Sequence, residues 1–195
     1  MTYQPDAETL LAVILGAALA TAGGFGERQI ERLIQKREKE RSAALFFGEL
    51  LSAMRVRMKL ANEARSRGDP YGPVTLRFIR SIQREVEIYD RNRETLLDLR
   101  SAEIRANVSV LIARLSFAID GVMDVSAELS ASGAAASEQQ RASLAETQKI
   151  GFDFAVETGA EITSLLAALA PLARHNFDAT ESAIPSNVRT QPATE

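Results

Sequence analysis

An uncharged apolar run near the N-terminus dominates the pattern of hydrophobic positions along the chain. It reads TLLAVILGAALATAGGFG and covers residues 9–26, eighteen residues without a charged side chain. At about 1.5 Å per residue, a helix of this length spans roughly 27 Å of a hydrocarbon core that is ~30 Å thick. The run therefore predicts one transmembrane helix over residues 9–26, preceded by a short extracytoplasmic N-terminus over residues 1–8.

Small residues recur along one side of this run. Ala12, Gly16, Ala20 and Gly24 are spaced four apart, which places them on one helix face where a second backbone can approach closely. The apolar side chains favour insertion by only about 2 to 4 kcal/mol on a translocon scale, so a partner helix would make the span more secure. The face therefore predicts packing against another transmembrane helix.

Two other interpretations of the run stay open. A cleaved signal peptide normally carries positive charge before its apolar core, whereas MTYQPDAE contains no Lys or Arg. A buried core helix would suit a short, Ala-rich run. We prefer the membrane anchor because the charge that follows the run has the pattern expected beside a span.

Basic residues follow the run at once and none precede it. They are Arg28, Arg32, Lys36, Arg37, Lys39 and Arg41. The positive-inside rule then predicts a cell membrane protein, in a bacterium the inner membrane, with the N-terminus outside and the bulk of the chain in the cytoplasm. These six residues are candidates for contact with anionic lipid, although interleaved glutamates also fit a solvated helix of mixed charge over residues 27–43.

Apolar residues at alternating spacings of three and four predict further helices downstream. One stripe leads through Ile30 and Leu33 to a packed part that begins at Ala44, and RSRGDPYGP then stops the helix. A second helix is expected from Pro73, a break near residues 98–101 is left open, and Ser137 is expected to cap the last helix. Pro171 should kink or end that helix. The prediction is an all-α chain whose transmembrane helix continues into a cytoplasmic antiparallel bundle of three or four helices over residues 44–175, followed by a disordered tail over residues 176–195.

The helix expected from residue 102 has the cleanest periodicity. Its seam positions are Ile104, Val108, Leu111, Leu115, Ala118, Val122, Val125 and Leu129. Further apolar residues, among them Val110 and Phe117, widen the stripe and predict a helix at the centre of the bundle, with Gly121 permitting close approach of a neighbour. In the last helix, Ile150 and Gly151 are expected to lead into the buried side.

Composition limits the chemistry that the chain can perform. There are no cysteines and one histidine, His175, which we expect to be a helix-end residue, so no di-iron, zinc or thiol site and no cofactor is predicted. Residues 1–106 hold 18 Lys and Arg against 15 Asp and Glu, whereas residues 107–195 hold 5 against 11. The small basic group from Arg55 to Arg67 is not clustered enough to predict a nucleic-acid partner.

The sequence thus predicts an interaction protein without catalytic activity of its own. We expect a membrane-anchored accessory subunit, scaffold or assembly factor whose partners are the lipid bilayer and a transmembrane or cytoplasmic protein, or a second copy in a homodimer. One alternative is an elongated tether or stator-like homodimer, similar only in layout to the peripheral-stalk subunit b of rotary ATP synthases. The other is a ligand-responsive helical regulator of a membrane partner.

Overall fold

The computed structural model describes residues 7–132 and 137–177, apart from the side chains of residues 7–10, 13 and 17–28. Within these ranges the regular elements are helices without a strand, so the all-α prediction is confirmed. The elements are α1 (Ala7–Ser66), α2 (Pro73–Arg91), a 3-10 helix (Arg93–Asp98), α3 (Ala102–Ser132) and α4 (Glu138–Ala173). The chain divides into two compact units, Met1–Lys39 and Glu40–Glu195.

The first unit contains the N-terminal part of α1. Its described side chains are exposed, including the large apolar residues Leu11, Ile14 and Leu15 and, further along, Ile30, Leu33 and Ile34. The predicted span over residues 9–26 therefore falls on a helix, as expected. Most of its side chains lie outside the described residues, and its placement in a membrane stays a prediction.

The second unit has one apolar core to which all four α-helices contribute. The largest fully buried side chains are Phe47, Leu51 and Met54 from α1, Ile79 and Ile82 from α2, Leu115 and Ile119 from α3, and Phe152, Ile162 and Leu169 from α4. Packing along α1 begins at Ala43 and Ala44, as the sequence pattern indicates. We refer to residues 40–177 as the packed unit; its antiparallel bundle arrangement stays a prediction.

The turn between α1 and α2 is stabilised by Asp69. Its carboxylate accepts a hydrogen bond from the Thr75 backbone N–H at 2.8 Å, and its carbonyl accepts one from the Thr75 hydroxyl at 2.7 Å. The residue directly before α2 is Gly72, which has no side chain to cap the helix, so Asp69 supplies the acceptor from further back. Gly68 adopts φ 96°, which favours glycine. The predicted stop and the predicted start at Pro73 are both confirmed.

A 3-10 helix separates α2 from α3, which resolves the break that the sequence left open. Leu96 and Leu99 are buried, whereas Leu97 is exposed. Leu96 lies in this short element and Leu99 directly follows it in an extended conformation, and both side chains point into the core. The Ser101 hydroxyl then accepts a hydrogen bond from the Ile104 backbone N–H at 3.2 Å and caps α3.

Three expectations for α3 and α4 are wrong. Val110, Phe117 and Ile150 are exposed instead of buried, because no helix among the described residues covers those sides. A Cβ built at Gly121 would meet nothing within 4 Å, so no described part of the chain approaches this glycine closely. The close approach is at Gly151, where a Cβ would lie 3.2 Å from a methyl carbon of Val122.

The C-terminal end of α4 returns to α1. The helix ends two residues after Pro171, and Arg174 follows in the left-handed conformation with φ 53°. Phe177 is buried, and its ring lies over Gly48 so closely that a Cβ there would overlap it. The ordered chain thus extends past residue 176, where the tail was expected to begin, because a buried aromatic ring fixes the segment. The rest of the predicted tail lies outside the described residues.

One helix in the described part of the chain, α4, is long and apolar enough to cross a membrane by length and composition. However, 39% of its apolar window is buried inside the protein, and core helices pass the same test. The exposed side of α4 also carries charged residues that pair with neighbouring helices, Asp153 with Arg65 at 2.6 Å and Glu161 with Arg114 at 2.8 Å. These contacts describe a helix packed in the protein core.

Candidate functional site

The predicted transmembrane packing face is described at two of its four residues. Ala12 and Gly16 are exposed, and a Cβ at Gly16 would meet nothing within 4 Å. The side chains of Ala20 and Gly24 lie outside the described residues. This part of the face is therefore open to a partner, and packing against one stays a prediction.

The predicted membrane-surface residues separate into two groups. Arg32, Lys36, Arg37 and Lys39 are exposed, and the side chain of Arg28 lies outside the described residues. Arg41 instead belongs to the packed unit, where its Nε donates a hydrogen bond to the Ala173 carbonyl at 3.5 Å. A cation at this position interacts favourably with the C-terminal dipole of α4. Arg41 is itself exposed, and contact of all six residues with anionic lipid stays a prediction.

Exposed basic residues of α1 just after the predicted span lie mostly on one side of the helix. At 100° per residue, Arg32, Lys36 and Lys39 share one face. The exposed Ile30, Leu33 and Ile34 lie on the opposite face, together with Arg37. Glu31 and Glu38 lie between them. The glutamates thus dilute the basic face less than their interleaving in the sequence indicated.

An unpartnered apolar face runs along α3 in the packed unit. Its exposed members are Ala102, Ala106, Val110, Ala113, Phe117 and Gly121, and we call them the outer face of α3. Phe117 is 78% exposed and Val110 is 57% exposed. Since the opposite side of α3 is buried against the core, this helix is apolar on both sides. Periodicity in the sequence identified the buried side of α3. The exposed apolar side was indicated only by the width of the apolar stripe.

A groove lies beside the N-terminal end of this face. It has a volume of about 680 Å³ and is lined by the 3-10 helix and the start of α3, including Arg93, Leu97, Ala102, Ala106 and Ser109. Leu97 is 76% exposed. Asp90, Glu94 and Arg105 also line the groove. The groove and the outer face of α3 share Ala102 and Ala106, so they form one continuous surface.

Hydrogen bonds hold the wall of the groove in place. The Arg105 guanidinium donates to the carbonyls of Leu99 and Arg100, the latter at 3.1 Å. The Glu40 carboxylate accepts from the Arg100 backbone N–H at 3.1 Å and pairs with the Arg100 side chain at 3.3 Å. Behind the groove, the hydroxyls of Tyr89 and Ser109 share a hydrogen bond of 3.1 Å. The surface is thus presented on a fixed backbone.

An arginine and two aromatic rings form a second cluster where α1 ends. The Arg65 guanidinium lies 4.8 Å from the Phe152 ring centroid and 5.6 Å from that of Tyr71, and it also pairs with Asp153. Burial raises the pKa of the Tyr71 hydroxyl above its usual value, and this effect outweighs the lowering by Arg65. The cluster is explained by packing, since it fixes the turn at residues 67–72 against α4.

The remaining candidate residues are the arginines near the end of α1 and His175. In the described ranges, no group of three or more His, Asp and Glu side chains is arranged to hold a metal ion. Arg57, Arg65 and Arg67 form ion pairs with Glu85, Asp153 and Glu63. His175 lies just beyond α4, as predicted, and its imidazole contacts the Phe177 ring with centroids 5.0 Å apart.

Comparison with protein-family models, curated proteins and solved structures finds no match to this chain. Its function is therefore inferred from the surfaces described above.

Proposed function

We propose that the protein is a single-pass, membrane-anchored helical interaction protein without catalytic activity of its own. Residues 9–26 cross the membrane, and the N-terminus faces away from the cytoplasm. The packed unit is an antiparallel bundle in the cytoplasm that presents binding surfaces to a protein partner. The role is that of an accessory subunit, scaffold or assembly factor.

One observation carries the proposal: α1 in the first unit exposes large apolar side chains. Leu11, Ile14 and Leu15 are each more than half exposed. Isolated helices are marginal in water, and exposed leucine and isoleucine side chains add an unfavourable hydration cost. Lipid or a partner helix removes that cost.

The basic face of α1 supports the proposed orientation. Arg32, Lys36 and Lys39 lie within one membrane-proximal segment and are exposed. Each basic residue near an anionic leaflet contributes about 1 kcal/mol of attraction. These residues would hold the start of the cytoplasmic region against the inner leaflet.

Membrane fractionation of the full-length chain tests the anchor. The chain should sediment with membranes after cell lysis, resist extraction by alkaline carbonate and dissolve in detergent. Replacing Ile14 and Leu15 with arginine places two charges in the run, at about 2.5 to 3.5 kcal/mol each at the centre of a span. Together these exceed the roughly 2 to 4 kcal/mol that favours insertion, so the double variant should appear in the supernatant.

The matched control is Val74→Arg, since Val74 is also exposed but lies in the packed unit. This variant should stay with the membranes. The anchor is wrong if the unmodified chain remains soluble without detergent, or if Val74→Arg releases the chain as effectively as the double variant does.

The alternative of an elongated tether is less well supported. Helix α1 ends at Ser66, and the helices that follow contribute to the same core as its C-terminal part. Small-angle scattering of the full-length chain in detergent-free nanodiscs, with the disc contribution matched out, distinguishes the two. The bundle predicts a compact particle, whereas a stator-like tether predicts a rod.

The groove beside α3 supports a second candidate function, a ligand-responsive regulator. Its volume of about 680 Å³ lies within the range of small-molecule sites, roughly 300 to 1,000 Å³. A compound that binds there should raise the unfolding temperature of the chain, and Ala106→Trp, which fills the groove, should abolish the shift. The groove is open to solvent along α3, which suits a protein helix better than a small ligand.

A further inference from the structure

We propose that the outer face of α3 binds the same face of a second copy, with the two α3 helices antiparallel. This inference names a partner for the interaction role proposed above, but it concerns the packed unit and does not depend on the membrane anchor. Its two-fold axis would pass near residues 111 and 112, the midpoint between Ala106 and Phe117.

Side-chain size along the face fits this pairing. With the axis at that midpoint, each Phe117 lies opposite Ala106 of the other copy, and each Val110 lies opposite Ala113. A large residue then meets a small one at both of these levels, as packing of two helices requires. A parallel pairing would instead place Phe117 against Phe117 and leave Ala113 against Ala113, which gives a clash at one level and a gap at another.

In the antiparallel arrangement, the Phe117 ring of the second copy lies at the edge of the groove. Ala106 forms part of the groove wall, so the Phe117 ring of the second copy would cover the groove edge beside the exposed Leu97. Each copy contributes one exposed aromatic side chain and one groove, and a two-fold axis satisfies both at once. Such self-complementarity is what an isologous interface needs.

Charge along α3 also favours the antiparallel arrangement. The C-terminal half of the helix carries Asp120, Asp124 and Glu128 without a basic residue, although acidic side chains are unfavourable near a helix C-terminus. The N-terminal end, with the two residues before it, carries Arg100 and Arg105 against Glu103. Arg100 already pairs with Glu40, and Arg105 already donates to two carbonyls, so both cations are held at this end of the helix. Antiparallel pairing brings Asp124 near Arg100 of the second copy and Asp120 to the flank that carries Arg105. Parallel pairing would place the three carboxylates against each other.

The size of the face indicates the strength of the contact. The stretch from Ala102 to Gly121 extends about 28 Å along the helix. One helix pair of this length lies at the low end of specific interfaces, so the dissociation constant should be in the micromolar range. Experiments therefore need tens of micromolar protein.

Disulfide cross-linking of the full-length chain tests the register, because the protein contains no cysteine. Two variants with different affinity tags, Ala102→Cys and Gly121→Cys, are mixed in detergent and oxidised. The antiparallel pair brings these positions together, whereas two copies of residue 102 lie about 29 Å apart, too far for a disulfide. The mixture should form cross-linked heterodimers, and Ala102→Cys alone should not.

Preferential cross-linking of each variant to itself would show a parallel arrangement and overturn the proposal. Cross-linking yields no higher than those of Ile150→Cys, an exposed control position on α4, would also overturn the proposal. The outer face of α3 would then be assigned to a different protein partner. Association through the transmembrane helices alone cannot produce the mixed pattern. Loss of membrane retention in the fractionation experiment leaves this outcome unchanged, so the two proposals fail separately.

A charge on the face provides an independent measurement. Phe117→Glu replaces an exposed side chain and should leave the helical content unchanged in circular dichroism. It should raise the dissociation constant, measured by sedimentation equilibrium of the full chain in density-matched detergent, at least about tenfold. The control Ile150→Glu should leave it unchanged. Equal effects of the two variants would contradict the interface.

Discussion

The contact between Phe177 and Gly48 predicts that the effect of Gly48→Ala on stability changes sign when Phe177 is replaced. Phe177 is 3% exposed, its ring occupies the space where a Cβ of Gly48 would be, and its carbonyl accepts a hydrogen bond from the Ser52 hydroxyl at 3.5 Å. Position 48 therefore requires glycine, because the Phe177 ring leaves no room for a Cβ. Elsewhere in a helix, glycine is less stable than alanine by about 0.5 to 1 kcal/mol.

We expect Gly48→Ala to destabilise the intact chain by about 1 to 3 kcal/mol, since the added methyl group must displace the ring. Phe177→Ala removes the ring and should cost about 3 to 5 kcal/mol, as other buried phenylalanines do. In the chain that already carries Phe177→Ala, the space is vacant. Gly48→Ala should then stabilise the protein by about 0.5 to 1 kcal/mol, the ordinary helix preference.

The assay is thermal and urea unfolding of the full chain in mild detergent, followed by circular dichroism. A change of 1 kcal/mol shifts the midpoint by about 2 to 4 °C in a chain of this size, so Phe177→Ala should lower it by at least about 6 °C. The matched control is Gly121→Ala, because that glycine is also helical but has nothing within 4 Å of its Cβ position. Gly121→Ala should stabilise the intact chain and the Phe177→Ala chain equally. A stabilising Gly48→Ala in the intact chain, or the absence of coupling between the two sites, would refute the packing argument.

Three further predictions concern single residues of the packed unit. Thr158 is fully buried with no partner for its hydroxyl, so Thr158→Val should stabilise the protein by about 1 kcal/mol in urea unfolding, whereas the same change at the exposed Thr163 should have no such effect. Asp69→Ala removes the acceptor for the Thr75 N–H and should cost about 1 to 2 kcal/mol; a neutral result would show that water replaces the cap. Because burial raises the pKa of Tyr71, its contribution should be complete below pH 10, the usual tyrosine value, and be lost as the pH rises through the higher folded-state pKa. Stability measured from pH 9 to pH 12 should therefore fall less steeply in Tyr71→Phe, and equal slopes would contradict the assignment.

The sequence predicted the helix boundaries well where local chemistry determines them. Pro73 begins α2, Ser137 caps α4 by accepting from the Gln140 backbone N–H at 3.1 Å, and glycine and proline end α1. Each of these signals depends on the conformation of a few adjacent residues. Such signals therefore predict helix ends without knowledge of the tertiary contacts.

Burial could be predicted only on one side of each helix. The seam residues of α3 from Val108 to Val125 are buried as expected, but Val110, Phe117 and Gly121 are exposed. Periodicity identifies which residues are apolar together, and it cannot state how many neighbours a helix has. The candidate site arose from that difference, because it consists of the apolar side left uncovered.

By itself, the sequence determined the all-helical class, the ends of the helices other than the break near residues 98–101, and the uncharged run that motivates the proposed anchor. These follow from composition and from residues adjacent in the chain. The tertiary structure decided the rest: that Phe177 lies on Gly48, that Arg41 interacts with the end of α4, and that no helix in the described ranges covers one face of α3. These depend on contacts between residues distant in sequence, where the shape of the assembled core, and not the preference of any one segment, selects which side chains meet.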